Sequence, residues 1–490
     1  TDGQLMTSTG SGVAWEDAPA GGPTFKTFGT GSIMVGDDAT GTINGANYNS
    51  GFGVDVFADL TTGDYNTAIG YASLSNNTTA NENTSVGYES MLSNVSGQYN
   101  TALGNSALFT NTQGNNNVAV GRLALFKNTT ASNNTAVGYA ALQENTTGGD
   151  NVAVGYLALD ANISGASSVS LGSYSLSTST TGTRNVAVGD AAMLSTTSGY
   201  DNVAVGKDAL RANTTGYLNV CIGRQAGQSL TGSVYSNVIV GGTAATSMNS
   251  GIQNTAIGQG AMQLGTSCSQ SVAVGAGALL RIGNADYNVA VGYLAGENVT
   301  TGNGNVCIGL NAGGAVTTGA NNILIGHGAG TTAGPGGAPG GGITTASNTI
   351  TLGNGDISKI NTQVSITVAS DKRDKTDVTP LDMGLSFINR LEPVTYKWDK
   401  RAKYEEGQTP DGKHKESWTD VGFLAQDVEK IEAEFGYKIE DETNLTTHMS
   451  EDGSAYGLTY AKFVPMLVKA LQEADDKIDA LTARIETLEG

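Results

Sequence analysis

The chain is 490 residues long, carries 69 glycines, and has a formal net charge of −20 with only 14% charged residues. That length allows two to four domains. The acidic balance argues against nucleic acid, which is held by clustered Lys and Arg, and no apolar run approaches the ~18 residues of a membrane span. The first residue is Thr rather than Met and no secretory signal opens the chain, so a fragment or a processed form is expected.

Residues 1–49 are rich in Gly and Thr and read as a β-rich N-terminal lead-in or attachment segment, with Trp15 following a G-S-G-V-A stretch. Gly36 and Gly53 stand 34 and 17 residues before Gly70, so degenerate copies of the repeat that follows are expected to begin near Ile33.

Residues 50–330 form an array with a period of 17. A glycine closes a short apolar run at 70, 87, 104, 121, 138, 155, 172, 189, 206 and 223, then, after a one-residue insertion, at 241, 258, 275, 292, 309 and 326. Four residues before these sixteen glycines stands Asn in fourteen cases (Asn66, Asn100, Asn151 and Asn305 among them) and Ser in two, Ser168 and Ser271. The residue one before is always Val, Ile or Leu, two before is mostly small, and three after is Ala or Ser. The unit reads N-V-A-V-G-Y-x-A-L-x-x-N-T-T-G. β-Branched residues flanking a small one suit a short strand, while Gly and N-T-T-G supply turns. Two or three short strands per coil are expected, too short to bury a core alone, so that stacked coils bury it jointly with like residues in ladders. At ~4.8 Å per coil sixteen coils make a rod roughly 75–80 Å long.

Catalytic chemistry is sparse in the array. Its 13 acidic and 7 basic residues are scattered over turns, and the tyrosines beside the strand ends (Tyr71, Tyr88, Tyr139, Tyr156, Tyr293) read as packing. The Asn ladder reads as a structural stack that satisfies backbone groups, and Cys221, Cys268 and Cys307 as buried thiols. No cofactor and no metal is expected. From Gly223 onward the Leu four after the repeat glycine often becomes Gly (Gly227, Gly296, Gly313, Gly330), which is expected to narrow the rod or bring its partners closer.

Residues 331–369 read as a Gly/Pro-rich loop and β connector, with strand-like units at Asn348–Gly353 and Val364–Val368. From Ser370 onward 42 of 121 residues are charged, which marks 370–490 as a separate domain. It opens Ser370-Asp371-Lys372-Arg373-Asp374-Lys375, continues through Leu391–Trp398, Val421–Glu429 and Thr459-Tyr460, and ends in a long helix. Apolar residues at 464, 467, 471, 474, 478, 481, 485 and 488 give that helix a coiled-coil seam. Ile at one seam position and Leu at the other would by themselves favour two strands. A Ser–Lys pair can act as nucleophile and general base when the Lys is desolvated enough to be neutral. His414 and His448 read as surface residues.

Two resemblances complete this reading. The short N-x-A-[VI]-G motif resembles the head repeats of trimeric autotransporter adhesins, which form parallel β-rolls. The segments from Ser370 to the end resemble the endosialidase-type intramolecular chaperone at the C-terminus of phage tail fibres and tailspikes, over 370–490. The second resemblance implies a homotrimer, Ser370 as nucleophile, Lys375 as base, and self-cleavage between Ala369 and Ser370.

The expected fold is therefore mainly β: a trimeric β-solenoid or β-roll of 17-residue repeats, followed by a smaller α+β chaperone domain that ends in a coiled-coil helix. The expected function is a phage tail fibre assembled in the host cytoplasm and carried in the virion. Its N-terminal side would meet other virion proteins, and the fibre would bind a host-surface glycan or protein receptor, with no nucleic acid and no membrane insertion. A bacterial trimeric surface adhesin and a tailspike depolymerase stand as alternatives.

Overall fold

The computed structural model describes residues 4–8, 13–17, 24–36, 45–331, 343–354, 357, 360, 361, 370–399, 404, 409–449 and 456–489. The chain divides into two compact units, Thr1–Val291 and Gly292–Gly490. Its dominant architecture is a β-solenoid of about 17 parallel-strand turns.

In the first unit, β1 (Gln4–Ser8) and β2 (Val13–Asp17) pair antiparallel. Strand β3 (Thr24–Phe28) runs antiparallel to β4 (Ser32–Gly36), and β4 begins the parallel ladder by pairing with β5 (Ser50–Gly53), Gly36 opposite Gly53. The first coil thus starts at Ile33, where the spacing of Gly36, Gly53 and Gly70 put it. Three-residue strands then recur from β6 (Thr67–Ile69) to β19 (Val289–Val291), each parallel to the next and displaced by one repeat, as with Val118 opposite Thr135.

Among the described residues one strand per coil is present, rather than two or three. The remainder of each coil is turn, built from left-handed non-glycine residues at fixed places: Tyr99, Ser106 and Leu108 have φ of 60°, 55° and 51°. The backbone is nevertheless paired all round the coil. Ser106 N–H donates to Tyr88 O one coil back, at 2.9 Å, and Leu108 N–H to Ala124 O one coil on, at 3.0 Å. Left-handed conformation costs roughly 1–2 kcal/mol for such a residue. At Leu108 full burial of the side chain, worth about 1.5–3 kcal/mol, offsets it. The repeat glycine is required twice over. Gly87 has φ +145°, and a Cβ there would lie 2.3 Å from Gly104 O in the next coil.

Side chains inside each coil form ladders. The central strand residue points inward, as Ala119 and Ala136 do, and its two neighbours point out. The Asn four before the glycine is buried and works as the sequence suggested: Asn134 donates from its backbone N (3.0 Å) and Nδ2 (3.3 Å) to Asn117 Oδ1, and from Nδ2 to Gly148 O (3.0 Å). A second buried ladder runs through the Asn of N-T-T-G. Nδ2 of Asn111, Asn128 and Asn145 donates to Oδ1 of Asn94, Asn111 and Asn128 at 2.7, 2.9 and 3.0 Å. Ser179 and Thr196 interrupt this second ladder, and their hydroxyls are buried without a hydrogen-bond partner.

The later coils refill the space that the lost Leu vacates, so narrowing does not follow from its loss. Where Gly227 replaces Leu, the interior Asn three residues on is replaced by Leu230; in the second unit Gly296 is matched by Val299 and Gly313 by Val316, all buried. The inward strand residue grows too, to Cys221, Ile239, Cys307 and Leu324. Larger groups thus stand where Leu is lost, as close packing disfavours voids, although one coil buries both Leu279 and Ile282.

The second unit holds coils with β20 (Val306–Ile308), β21 (Ile323–Ile325) and β22 (Ile350–Leu352). Ile323 pairs with Ile350, an offset of 27, so the Asn348–Gly353 unit is one further coil. The Val364–Val368 strand expectation lies outside the described residues.

Beyond Ser370 the same unit has a short helix α1 (Leu385–Ile388), a hairpin of β23 (Val394–Tyr396) and β24 (Asp420–Gly422), helix α2 (Ala425–Glu434), a hairpin of β25 (Thr447–Met449) and β26 (Tyr456–Leu458), and helix α3 (Phe463–Glu489). Met383, Phe387, Val428, Phe463 and Met466 form its core. Glu473 of α3 accepts the Leu385 N–H at 2.8 Å, tying α3 to the start of α1. The buried Glu432 carboxylate accepts the N–H and hydroxyl of both Thr446 and Thr447, which fixes β25 against α2. His414 and His448 are exposed, His448 on β25.

Candidate functional site

The chemistry-bearing stretch is Ser370–Lys375. Asp371 caps a single 3₁₀ turn, Lys372–Asp374, its carboxylate accepting the Arg373 N–H at 2.9 Å. The turn closes with Lys375 N–H donating to Lys372 O at 3.3 Å. This reversal brings Lys375 back onto Ser370, and Nζ lies 2.6 Å from Oγ. The Arg373 guanidinium grips the Asp371 carboxylate through Nε and Nη2, the latter at 2.6 Å, and holds that carboxyl below its usual range.

Sequence reading paired Ser370 with Lys375, and the structure places them in hydrogen-bond contact. Ala369, on the other side of the expected cut, lies outside the described residues. The role of Asp371 and Arg373 was missed, although both stand inside the motif; the signal available was an Asp one residue after the Ser and an Arg two further on. Ser370 and Lys375 are both exposed in the single chain. A base role requires Lys375 to give up its own proton first, which removal of surrounding water favours.

Residues 370–437 match the family described as chaperone of endosialidase. The matched stretch contains the Ser–Lys pair, β23, β24 and α2, and ends before Thr459-Tyr460 and the terminal helix. No curated protein and no solved structure matches the chain.

Two apolar surfaces accompany the matched segment. On α3, Phe463, Met466 and Ala470 face the core, while seam residues Val464, Leu467, Leu471, Ile478, Leu481, Ile485 and Leu488 are exposed, Leu471 at 72% and Leu488 at 80%. On the solenoid, the outward strand residue before each repeat glycine is always aliphatic, exposed at Ile69, Leu103, Val154, Ile222 and Val291 and half-buried at others such as Val120 and Val188. The second unit carries the same column at Ile308, Ile325 and Leu352. A continuous aliphatic column on the solvent side is the mark of an interaction surface. It was legible as the invariant Val, Ile or Leu at that position, but only the strand's alternation shows that it faces out.

The remaining repeat features read as structural. Tyr200, Tyr217 and Tyr235 stack with centroids 4.9 and 5.1 Å apart, as do Tyr71 with Tyr88 and Tyr139 with Tyr156. Face-to-face stacking along the coils occupies the ring faces that a sugar would need and leaves edges to solvent. Charged residues pair across one repeat, Lys127 with Glu144 at 2.5 Å and Arg184 with Asp201 at 2.6 Å. Burial pushes the thiols of Cys221, Cys268 and Cys307 up to about 12, so they stay protonated and inert. Among the described residues no group of three or more His, Cys, Asp or Glu is arranged to hold a metal ion, and no helix is long and apolar enough to cross a membrane.

Proposed function

We propose that the chain is a phage tail fibre: a homotrimeric solenoid shaft that binds the host surface, assembled by its C-terminal region and then cut between Ala369 and Ser370. The observation that carries this reading is the succession, in one chain, of a long repetitive solenoid and a segment matching the chaperone of endosialidase. A repeat shaft needs such a device. Three chains must meet in register, and with a 17-residue period a slip by one coil changes little of the contact made by identical columns. A C-terminal helix bundle that trimerises first fixes the stagger. The aliphatic column of the coils and the exposed seam of α3 both support assembly with further copies of the same chain.

Self-cleavage would proceed by attack of Ser370 Oγ on the Ala369 carbonyl, with Lys375 taking the hydroxyl proton. The backbone nitrogen of Ser370 leaves protonated, and water then hydrolyses the ester to give a free Ala369 carboxylate and a new Ser370 amine. Loss of the registering segment would leave the shaft kinetically locked. The chaperone match runs against an adhesin, and the stacked tyrosines and ion-paired carboxylates of the coils give no support to a depolymerase.

Intact mass of the full chain under denaturing conditions tests the reading. A break between Ala369 and Ser370, absent from Ser370→Ala and Lys375→Ala, is expected, together with a trimeric mass in light scattering for all three. A wild-type chain that stays whole would make 370–490 a retained assembly cap, and a monomer would remove the fibre reading.

A further inference from the structure

We propose that Asp371 and Arg373 are positioning residues for the Ser370–Lys375 pair: their ion pair locks the 3₁₀ turn that carries Lys375 Nζ to Ser370 Oγ. The inference rests on the self-cleavage reading above. Five residues separate the nucleophile from its base, and an unconstrained hexapeptide with two long side chains samples many arrangements in which the pair is apart. Here one carboxylate restrains the segment at two levels. It accepts the backbone N–H of Arg373, which sets the first bend, and it clamps the guanidinium of the same residue, which holds that bend against water. The bend presents Lys375 on the side of Ser370, where its Nζ reaches Oγ at 2.6 Å. Neither Asp371 nor Arg373 touches the Ser370 hydroxyl in this arrangement; each acts through the backbone that bears Lys375.

The ion pair has a second consequence. Asp371 and Arg373 cancel each other beside Lys375, so removing either one alone leaves an uncompensated charge there. The other charged groups of the segment, Lys372, Asp374 and Asp377, stay the same in every variant named here. An unpaired Asp371 carboxylate favours the ammonium form of Lys375, and an unpaired Arg373 favours the amine.

The experiment follows cleavage of the full chain by intact mass across a pH series. It uses wild type, Ser370→Ala, Asp371→Ala, Asp371→Asn, Arg373→Gln and the double variant Asp371→Asn/Arg373→Gln, with trimer content measured for each. Asp371→Ala is expected to cleave about 10- to 100-fold more slowly, the range for a reacting group displaced by about an ångström. Asp371→Asn, which keeps an acceptor for the Arg373 N–H, is expected to lose less. Arg373→Gln should move the cleavage profile to higher pH, Asp371→Asn to lower pH, and the double variant should return it toward wild type. Cleavage of Asp371→Ala at the wild-type rate would overturn the proposal. So would slowing with an unshifted profile and lost trimer, which marks a folding role alone. A wild-type chain that never cleaves overturns the self-cleavage reading itself and this inference with it.

Discussion

Leu230 occupies the space left by the absent side chain of Gly227: a Cβ on Gly227 would stand 3.1 Å from Leu230 Cδ1 and 2.8 Å from Cys221 Sγ. Earlier coils solve the same packing problem the other way round, with Leu first and Asn three residues later, as in Leu125 and Asn128. The two positions are therefore one unit of design. Gly227→Leu alone is expected to destabilise by about 1–3 kcal/mol through overpacking, with a further cost from φ +59°. Adding Leu230→Asn should recover part of that loss. Urea unfolding of both singles and the double gives the coupling; strictly additive effects would show that the two sites do not share volume.

Asn117 tests the first ladder. Its Oδ1 is the acceptor for the Asn134 N–H at 3.0 Å, and both residues are buried. Asn117→Ala should orphan that donor and cost about 1–3 kcal/mol from it alone. Gln113, four residues earlier and exposed, should tolerate Ala within ~0.5 kcal/mol. Equal melting shifts for the two variants would deny the ladder its role.

The break in the second ladder runs in the opposite sense. Ser179 and Thr196 bury hydroxyls without partners between Asn162 and Asn213. Ser179→Asn with Thr196→Asn should restore a continuous chain of amides and raise stability by about 1 kcal/mol per restored hydrogen bond. A lower unfolding midpoint in the double variant would mean that the two coils have no room for the larger side chain.

The cysteines give a pH test. Native thiols are held at about 12 by burial, against 9.0 for an unperturbed thiol. The unfolded chain therefore ionises first. This stabilising contribution is complete below pH ~9 and is lost as pH rises toward about 12. A thiol-reactive dye at mildly alkaline pH should label none of the three in the native protein and all three in denaturant; rapid native labelling would contradict their burial.

The outward aliphatic column should hold copies together without holding the coil together. Val188→Glu and Val205→Glu, both outward on their strands, are expected to weaken the proposed trimer by at least ~10-fold in association constant, since each new charge must be desolvated at the contact. Far-ultraviolet dichroism should stay close to wild type. Trimers of unchanged affinity would move the interface to another face of the solenoid.

The period of 17, the inward small residue and the first Asn ladder were all legible, because a fixed repeat forces like residues above one another and strand alternation does the rest. The sequence also paired Ser370 with Lys375. Three things were not legible. One strand per coil could not be told from two or three, because the turn uses left-handed Leu and Ser at positions such as Leu108 and Ser106, where propensity gives no warning. Compensation between Gly227 and Leu230 was hidden because residues three apart in a turn carry no periodic signature. The clamp of Asp371 on Arg373 was hidden because two opposite charges on a surface segment are commonplace until a turn brings them face to face.

The side-chain oxygens of the ladders named above all accept from the coil that follows. Asn134 donates to Asn117, Asn117 to Asn100, Asn128 to Asn111 and Asn111 to Asn94. Backbone bonds run both ways between coils, but along these ladders the side-chain oxygens of each coil serve the coil on its C-terminal side, so its two faces are chemically distinct. A folding front that advances along the chain always meets the same template, a row of waiting amide oxygens beside the backbone groups, and each newly laid coil regenerates it. Growth from one end and fraying from the other become different reactions with different rates. In that sense the stack is a vectorial polymer within one polypeptide, and the end at which its assembly is nucleated determines which of those reactions builds it.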